Sequence, residues 1–559
     1  MRNLLSIGMI CFCLSFVSFA VRADDDDVSF EEDLPLVELH GYYRFRADLF
    51  DNFDLNQSDH NSNHGFPEPL TEYNDATRRG ANTIAGANMR FRIDPTVNIH
   101  KNVRIFATID MLDNLVLGST PDSYPFPGDA GLGAFSQTQV PPASGVNSLK
   151  DSIQVKRIWG EIKTPLGVFR VGRMGSQWGM GLLANAGNKY DDDYGDSVDR
   201  VMFITGYPAW DLYVVPAMDW VNEGPTSARH ETPQGQPFDL DQLDDANQYI
   251  LAVVRKQSDE DIKKDLEKRG WALNGGMYNV FRKQVLAIES WSYDNEVRDS
   301  TWSKVEKDPS VIDPRNAELW VHDIWARLDV GRLAFIDKIK LEVEGVWLHG
   351  DIGSYEPNTG MISNPKPVEI NQIGFVGDLE AGMFDQSLKV GFQVGYASGD
   401  MHSGFGVYPF YDSQKDDDDH DGKREINNFR FDPDYHVDLI LWREIIGTVT
   451  DAIYFKPRVQ YELVPGLGAK AAWIYSMAEK AHSTPSAGYG EKPLPNASNS
   501  LGLEMDVSLF YHADEGYDVD LEYGVLFPFD GMERRGPGRR YINGPDPAQT
   551  IQFRVTWHF

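Results

Sequence analysis

Basic side chains recur at intervals near the N-terminal end of the chain: His40, Arg44 and Arg46, then Arg90 and Arg92, then Arg104, Lys156 and Arg170. Near the C-terminal end Lys456, Arg458, Lys470 and Arg554 add to them. A guanidinium presents a planar fork of N–H donors that matches a carboxylate or phosphate, so rows of them can hold an anion and pass it from site to site. A second pattern is acidic. Asp417, Asp419, Asp421 and Gly422 fit the opening of a calcium loop, where alternating carboxylates supply hard oxygen ligands and Gly permits a sharp turn. The twelfth position is Asn428, where a bidentate Glu is expected. Asp191, Asp192 and Asp193 with Asp196 and Asp199 form another acidic cluster. A solvated acidic exterior is the expected reading of both clusters, with calcium bridging of loops as the alternative; no other cofactor is expected.

The elements that must carry these residues are strands. Leu501, Leu503, Met505, Val507, Leu509 and Tyr511 alternate with Gly502, Glu504, Asp506, Ser508, Phe510 and His512. One face is apolar and the other mostly polar over the length a tilted strand needs to cross a bilayer. After the turn Asp514-Glu515-Gly516 the pattern repeats from Tyr517 to Phe527, which makes a hairpin. The chain ends on Ile551, Phe553, Val555, Trp557 and Phe559, again alternating. These strands are longer than those of soluble sheets, and aromatic residues gather near their ends as membrane girdles do.

The expectation is an all-β fold: a transmembrane antiparallel β-barrel of about 18 strands with short periplasmic turns and long extracellular loops. Strands are expected near 37–50, 83–94, 103–111, 153–163, 168–173, 200–205, 210–218, 247–256, 271–281, 318–330, 339–348, 370–381, 388–397, 453–463, 467–477, 501–511, 517–527 and 551–559. An even count keeps both termini in the periplasm. Residues 438–447 are apolar enough for a nineteenth strand, but that would break the parity. Val437, Ile440, Leu441, Ile445 and Thr448 share a face at helical spacing, so a helix is expected within the loop near 399–451, either in the lumen or mouth or on the loop surface. Asp259 to Lys268 is a further short helix, at a periplasmic turn.

Composition sets the outer limits. The chain has 559 residues with 85 Asp and Glu against 52 Lys and Arg, a formal charge of -33, which disfavours nucleic acid as a partner. Residues 1–23 read as a secretory signal peptide, with Arg2 before an apolar run and Val21-Arg22-Ala23 before the cut. Residues 24–36 are an acidic N-terminal segment, and 37–559 a single outer-membrane barrel. Both cysteines, Cys11 and Cys13, lie in the signal, so the mature chain has no disulfide or thiolate site. Outer-membrane lipid is one expected partner. The barrel-assembly machinery is another, because a terminal aromatic such as Phe559 resembles the signature that machinery reads in bacterial outer-membrane barrels.

The early basic strands and Arg170-Val171-Gly172-Arg173 followed by Trp178-Gly179 resemble the alginate-export group of outer-membrane porins. That resemblance implies passage of an acidic polysaccharide. A closer likeness is to an uncharacterised outer-membrane family of myxobacteria and related deltaproteobacteria. It is carried by residues 172–181, by Asp193-Tyr194-Gly195-Asp196-Ser197-Val198-Asp199-Arg200, and by Trp442-Arg443-Glu444-Ile445-Ile446-Gly447-Thr448. This second resemblance implies a barrel at the outer membrane and no particular substrate.

Because the last strand must pair with the first, the two basic groups are expected to merge into one lumen wall. Glu504, Asp506, Asp518, Asp520 and Glu522 lie between Lys470 and Arg554 and could neutralise part of it across strands. The expected function is a porin-like channel for passive passage of hydrophilic solutes, anions or acidic polysaccharide among them. A surface receptor or adhesin with a closed barrel is the alternative. A barrel enzyme is weaker still, since the chain has no G-x-S-x-G elbow and no H-E-x-x-H motif.

Overall fold

The computed structural model describes residues 34–57, 83–117, 152–224, 227–229, 237–239, 242–287, 297–298, 304–305, 313–355, 366–402, 404–406, 424–488, 496–535 and 544–559. The signal peptide and the acidic run Asp417, Asp419 and Asp421 lie outside them.

Eighteen long strands build one sheet. They are β1 (Val37–Asp51), β2 (Thr83–His100), β3 (Val103–Val116), β4 (Ile153–Thr164), β5 (Gly167–Gly175) and β6 (Ser197–Tyr207). There follow β7 (Leu212–Asn222), β8 (Ala246–Arg255), β9 (Trp271–Ala287), β10 (Asp313–Val330), β11 (Ile336–Tyr355) and β12 (Lys366–Met383). The last six are β13 (Leu388–Ala397), β14 (Ala452–Val464), β15 (Leu467–Ala478), β16 (Ser500–Ala513), β17 (Tyr517–Pro528) and β18 (Ala548–His558). Every neighbour in sequence pairs antiparallel, and β1 pairs β18 from Tyr42 opposite His558 to Asp51 opposite Gln549. The sheet is therefore closed and has no free edge, which a lipid environment demands of strands.

Alternation fixes which face each side chain takes. Val507, Leu509 and Tyr511 of β16 point outward and are exposed, while Glu504 and Ser508 point inward and are buried. Leu251, Leu273, Ile324, Leu379, Phe392, Trp473, Leu521 and Trp557 extend this exposed apolar surface round the barrel. Soluble monomers do not carry contiguous apolar surface on that scale, so the belt faces lipid and the chain is an outer-membrane barrel. Among the described residues no helix is long and apolar enough to cross a membrane.

Both termini and eight short connections lie at one end, and nine longer connections lie at the other. Seven of the short connections are tight turns or short loops; the eighth carries α1 (Asp259–Arg269) between β8 and β9. The Ser258 hydroxyl caps α1 by accepting the Asp261 N–H at 3.2 Å, and Gly270 closes it at φ +81°. Asp259, Glu260 and Asp261 in its first turn and Lys268 and Arg269 in its last suit the helix dipole. Most strands run a few residues past the expected bounds, β2 to His100 and β11 to Tyr355 among them; β7 instead starts late, because Pro208–Trp210 is a tight helical turn and the strand begins at Leu212. Pro at the turn's start and a left-handed Asp211 at φ 54° account for the later start.

The segment 438–447 forms no strand. It contains one wide helical turn, Leu441–Ile445, in which Ile445 N–H reaches Ile440 O at 2.9 Å and Ile446 N–H reaches Leu441 O at 2.9 Å.

Candidate functional site in the barrel lumen

The register at the closing seam sets a charge problem. Arg44 stands opposite Arg90 across β1 and β2, and Arg46 stands opposite Arg554 across β1 and β18. Like charges directly opposite repel, so acidic partners must come from elsewhere. They come from the connection between β5 and β6, residues 176–196, which folds into the lumen. Asp193 takes Arg44 at 3.2 Å, Arg46 at 2.9 Å and Arg90 at 3.1 Å. Asp191 takes Arg443 at 2.7 Å, Arg554 at 2.7 Å and Arg46 at 3.4 Å. Burial opposes ionisation of both carboxyls, but the surrounding guanidiniums outweigh it: Arg443, Arg554 and Arg46 hold Asp191 well below the usual range, and Arg46, Arg44 and Arg90 hold Asp193 below it. Two members of the acidic cluster expected on the exterior, Asp191 and Asp193, are thus the counter-charge of the basic wall, while Asp199 stays half-exposed and pairs with Arg173 at 2.6 Å.

Other wall arginines hold the same connection by its backbone. Arg44 donates to Tyr190 O at 2.9 Å, Arg90 to Asp192 O at 2.6 Å and Arg92 to Gly187 O at 3.0 Å. Arg157 donates to Ala186 O and, at 3.2 Å, to Asp196 O. Across the barrel, Glu344 of β11 accepts the N–H groups of Met180 and, at 3.1 Å, Leu182. A segment bound to β1, β2 and β4 at one end and to β11 at the other spans the lumen. Gly179, at φ +50°, lies so close to the Glu344 carboxylate that a side chain there would clash with it.

The connection between β13 and β14 folds in beside it. Leu439, Ile440, Leu441 and Trp442 are buried, and Glu504 of β16 accepts the N–H groups of Leu439, Ile440 and Leu441 at 2.9, 2.8 and 3.0 Å. Trp442 donates its indole N–H to Ser476 at 3.0 Å, and Lys456 donates to Val437 O at 2.6 Å. The helical turn therefore sits inside the barrel. Asp434 joins the two inward connections: it accepts the N–H groups of Asp193 at 2.8 Å, Gly195 at 2.7 Å and Tyr194 at 3.2 Å. Asp432 N–H also donates to Leu182 O at 2.7 Å.

The remaining residues singled out in the sequence take separate places. Lys156 lies 3.4 Å from Asp110 and 3.5 Å from Asp113, Arg170 pairs with Glu161 at 2.8 Å, and Arg104 stands opposite Glu161 in register. Arg458 pairs with Asp378 at 2.7 Å and Glu380 at 3.0 Å, while the Lys470 ammonium lies 4.8 Å from the centre of the Phe510 ring. Arg554 also takes Asp520 at 3.0 Å. Asn428, twelfth in the calcium-like pattern, is buried and accepts the Thr450 hydroxyl at 3.0 Å. Arg157 was not legible as a lumen residue beside Lys156, because a register shift at Thr108/Ile109 of β3 brings both neighbours inward. Arg443, Asp434, Glu344 and Glu504 carry no local signal of their role; only the folded-in connections create it.

Beneath the two inward connections lie cavities on the terminus side. One, about 380 Å³, is lined by Asp191, Lys389, Asp438, Lys456, Lys470 and Arg554 among others. A second, about 680 Å³, is lined by His40, Arg92, Arg157, Arg170, Arg200 and His558 among others. The third, about 610 Å³, lies against β6 to β10 and α1.

Among the described residues, two groups place three possible metal ligands within 4.8 Å of one another: Asp192, Asp434 and His436 at the seam, and Glu223, Asp239 and Asp245 near the outer rim. Both Asp434 oxygens already serve backbone N–H groups, so this carboxylate fastens the loops. The rim trio has the all-oxygen character that hard cations take.

The fold and this lumen define the class: an 18-stranded outer-membrane β-barrel with two connections folded into its interior. No known protein family matches the chain, and no curated protein does. Among solved structures it is similar to OpdL of Pseudomonas aeruginosa (8% identity, TM-score 0.47, 94% of this chain and 98% of that one). It is also similar to OccK8 (OprE) of the same organism (8%, 0.44, 93% and 98%). A loop-deletion mutant of OmpT, an outer membrane protein of Vibrio cholerae, matches at 8% identity and a TM-score of 0.32 over 94% of this chain and 99% of that one.

Proposed function

We propose that the protein is a porin-like channel for passive passage of small hydrophilic solutes, anions among them. The observation that carries this reading is the charged and hydrogen-bonding inner wall of β1 to β4 and β14 to β18, in a barrel whose outer wall is apolar. A wall of that kind can replace a solute's hydration shell in steps. Arg44, Arg46 and Arg90 are bound to loop carboxylates, so they shape the passage by holding the loop. The cations offered to a solute are those on the cavities, Arg170 and Lys470 foremost, since both keep exposed surface. Small solutes fit this lumen better than acidic polysaccharide, which would require both inward connections to leave it.

The test is single-channel conductance and reversal potential in a planar bilayer under a salt gradient. Arg170→Glu and Lys470→Glu together should move the reversal potential toward cation preference. An unmoved potential removes these two residues from the path. No conductance at any voltage refutes the channel reading and favours the second one, a surface receptor or adhesin. The layer of two connections across the lumen is the observation that supports that alternative.

A further inference from the structure

The lumen wall changes character between β6 and β10. In β8 the outward side chains Tyr249, Leu251 and Val253 face lipid, yet the inward ones, Ile250, Ala252 and Val254, are apolar too. Val215 and Ala217 of β7 and Trp325 of β10 continue that inner surface. A barrel lumen is ordinarily polar, and apolar wall facing water is unfavourable. Trp178 and Leu182 cover part of this wall from above, and Ile262 of α1 closes it from below. Between them remains the cavity of about 610 Å³. That is the size, and the apolar lining with a few polar groups, of a small-molecule site.

Its polar groups are specific. Asn274, 3% exposed, accepts the Gln257 N–H at 2.8 Å through its side-chain oxygen. Gln257 in turn donates its side-chain N–H to Asp265 at 2.8 Å. These bonds fix both amides, and they leave the Asn274 amide nitrogen and the Gln257 side-chain oxygen buried without a partner among the described residues. Three of the charged groups on the lining are matched: Arg200 grips Asp219 at 2.5 and 2.8 Å, Arg327 grips Asp329 at 2.8 and 3.2 Å, and Glu342 accepts the Trp325 indole N–H at 2.9 Å, while Lys256 and Asp259 stand at the α1 end. On the apolar wall the cavity thus offers one fixed amide donor and one fixed amide acceptor, with the buried Trp178 indole N–H as a further donor.

We propose that this cavity is a binding site for a small apolar molecule with an uncharged hydrogen-bonding head, such as an aromatic or aliphatic alcohol or amide. The head meets Asn274 and Gln257, and the body lies on Val215, Ala217, Ile250 and Ala252. The site adjoins the cavity of about 680 Å³ at Gln177, Arg200 and Met202 but does not depend on conduction, so it is read whether or not the barrel opens.

The experiment is calorimetric titration of the detergent-solubilised full barrel with 2-naphthol and with 2-naphthoate, against micelle-only blanks. Folding of each variant is checked by its heat-modifiable mobility. Saturable binding of one 2-naphthol per barrel is expected, and Ala252→Trp, which sets a large ring on the wall where the body lies, should weaken it by about tenfold or more. Asn274→Leu, which removes the donor at similar volume, should weaken it about tenfold. 2-Naphthoate should bind more weakly than 2-naphthol. Absence of saturable binding to the wild-type barrel overturns the proposal, as does binding left unchanged by Ala252→Trp. Tighter binding of 2-naphthoate overturns the uncharged head and makes Lys256 and Arg327 the recognising groups.

Discussion

Replacing Asp434 with Ala should open the seam between the two inward connections. Its carboxylate accepts three backbone N–H groups, two of them at 2.7 and 2.8 Å with good lengths for charged acceptors. Hydrogen bonds to a charged group contribute roughly 1.5 to 3 kcal/mol each, so losing the two shorter ones weakens the seam by about 3 to 6 kcal/mol. At about 1.4 kcal/mol per factor of ten, its opening equilibrium should rise by about two to four powers of ten. The chain's only cysteines are Cys11 and Cys13, in the expected signal, so one introduced thiol is a clean reporter. Ala186, 3% exposed and held under Arg157, is a suitable position. When reclosing is fast, the labelling rate of Ala186→Cys by a small charged thiol reagent follows the opening equilibrium. Adding Asp434→Ala should raise that rate at least a hundredfold. Asp434→Asn should come close, because its amide nitrogen would face donors. A rate within a factor of three of the parent would refute the assignment of Asp434 as the fastener.

The same reporter reads two further perturbations. Burial, with the Asp434 charge adding to it, pushes Asp192 up to about 6, and burial with Asp196 and Asp434 pushes Asp432 up to about 7, against an ordinary 3.8. The closed seam thus holds protons that an open one sheds, and opening becomes easier as pH rises from about 4 through about 7. His436, pushed down to about 3 by burial and then Arg443, works the other way below its ordinary 6.5. Two carboxyls outweigh one imidazole, so labelling corrected for thiolate fraction should be about tenfold slower at pH 5.5 than at pH 8; Asp432→Asn should flatten or invert the trend, and an unchanged trend would exclude that group. Trp442→Ala removes a buried ring and its bond to Ser476. It should cost about 3 to 5 kcal/mol locally and speed hydrogen exchange across 438–447, whereas unchanged exchange would mean the ring does not anchor the turn.

The barrel was legible because its signal is local. A two-residue period in β16 or β17 states which face meets lipid without reference to any other strand, and parity then excluded a nineteenth strand at 438–447. The basic residues of the wall were legible as inward for the same reason. Their partners were not. Asp191 and Asp193 meet Arg554 and Arg44 only because a connection folds back through the lumen, and a run of aspartates in a loop reads equally well as solvated surface. The stretches 172–181, 193–200 and 442–448 share a location: the first two enter, build and leave the first inward connection, and the third lies in the second.

That shared location bears on what the lumen charges are for. If Arg44, Arg46, Arg90 and Arg554 served chiefly to attract anions, the carboxylates that quench them would work against the purpose. If they served chiefly to hold the connection, repulsion between Arg44 and Arg90, and between Arg46 and Arg554, would be the force that keeps Asp193 and Asp191 in place. The register favours the second arrangement, since each opposed pair shares a carboxylate: Asp193 bridges Arg44 and Arg90, and Asp191 bridges Arg46 and Arg554. Breaking a buried pair by removing one partner leaves uncompensated charge and is worth about 3 to 5 kcal/mol. Asp191→Ala should therefore release the connection and leave a strongly cationic wall behind it. Conductance and anion preference should rise together in that variant, whereas a rise in conductance with no change of preference would mean that the freed arginines do not face the passage.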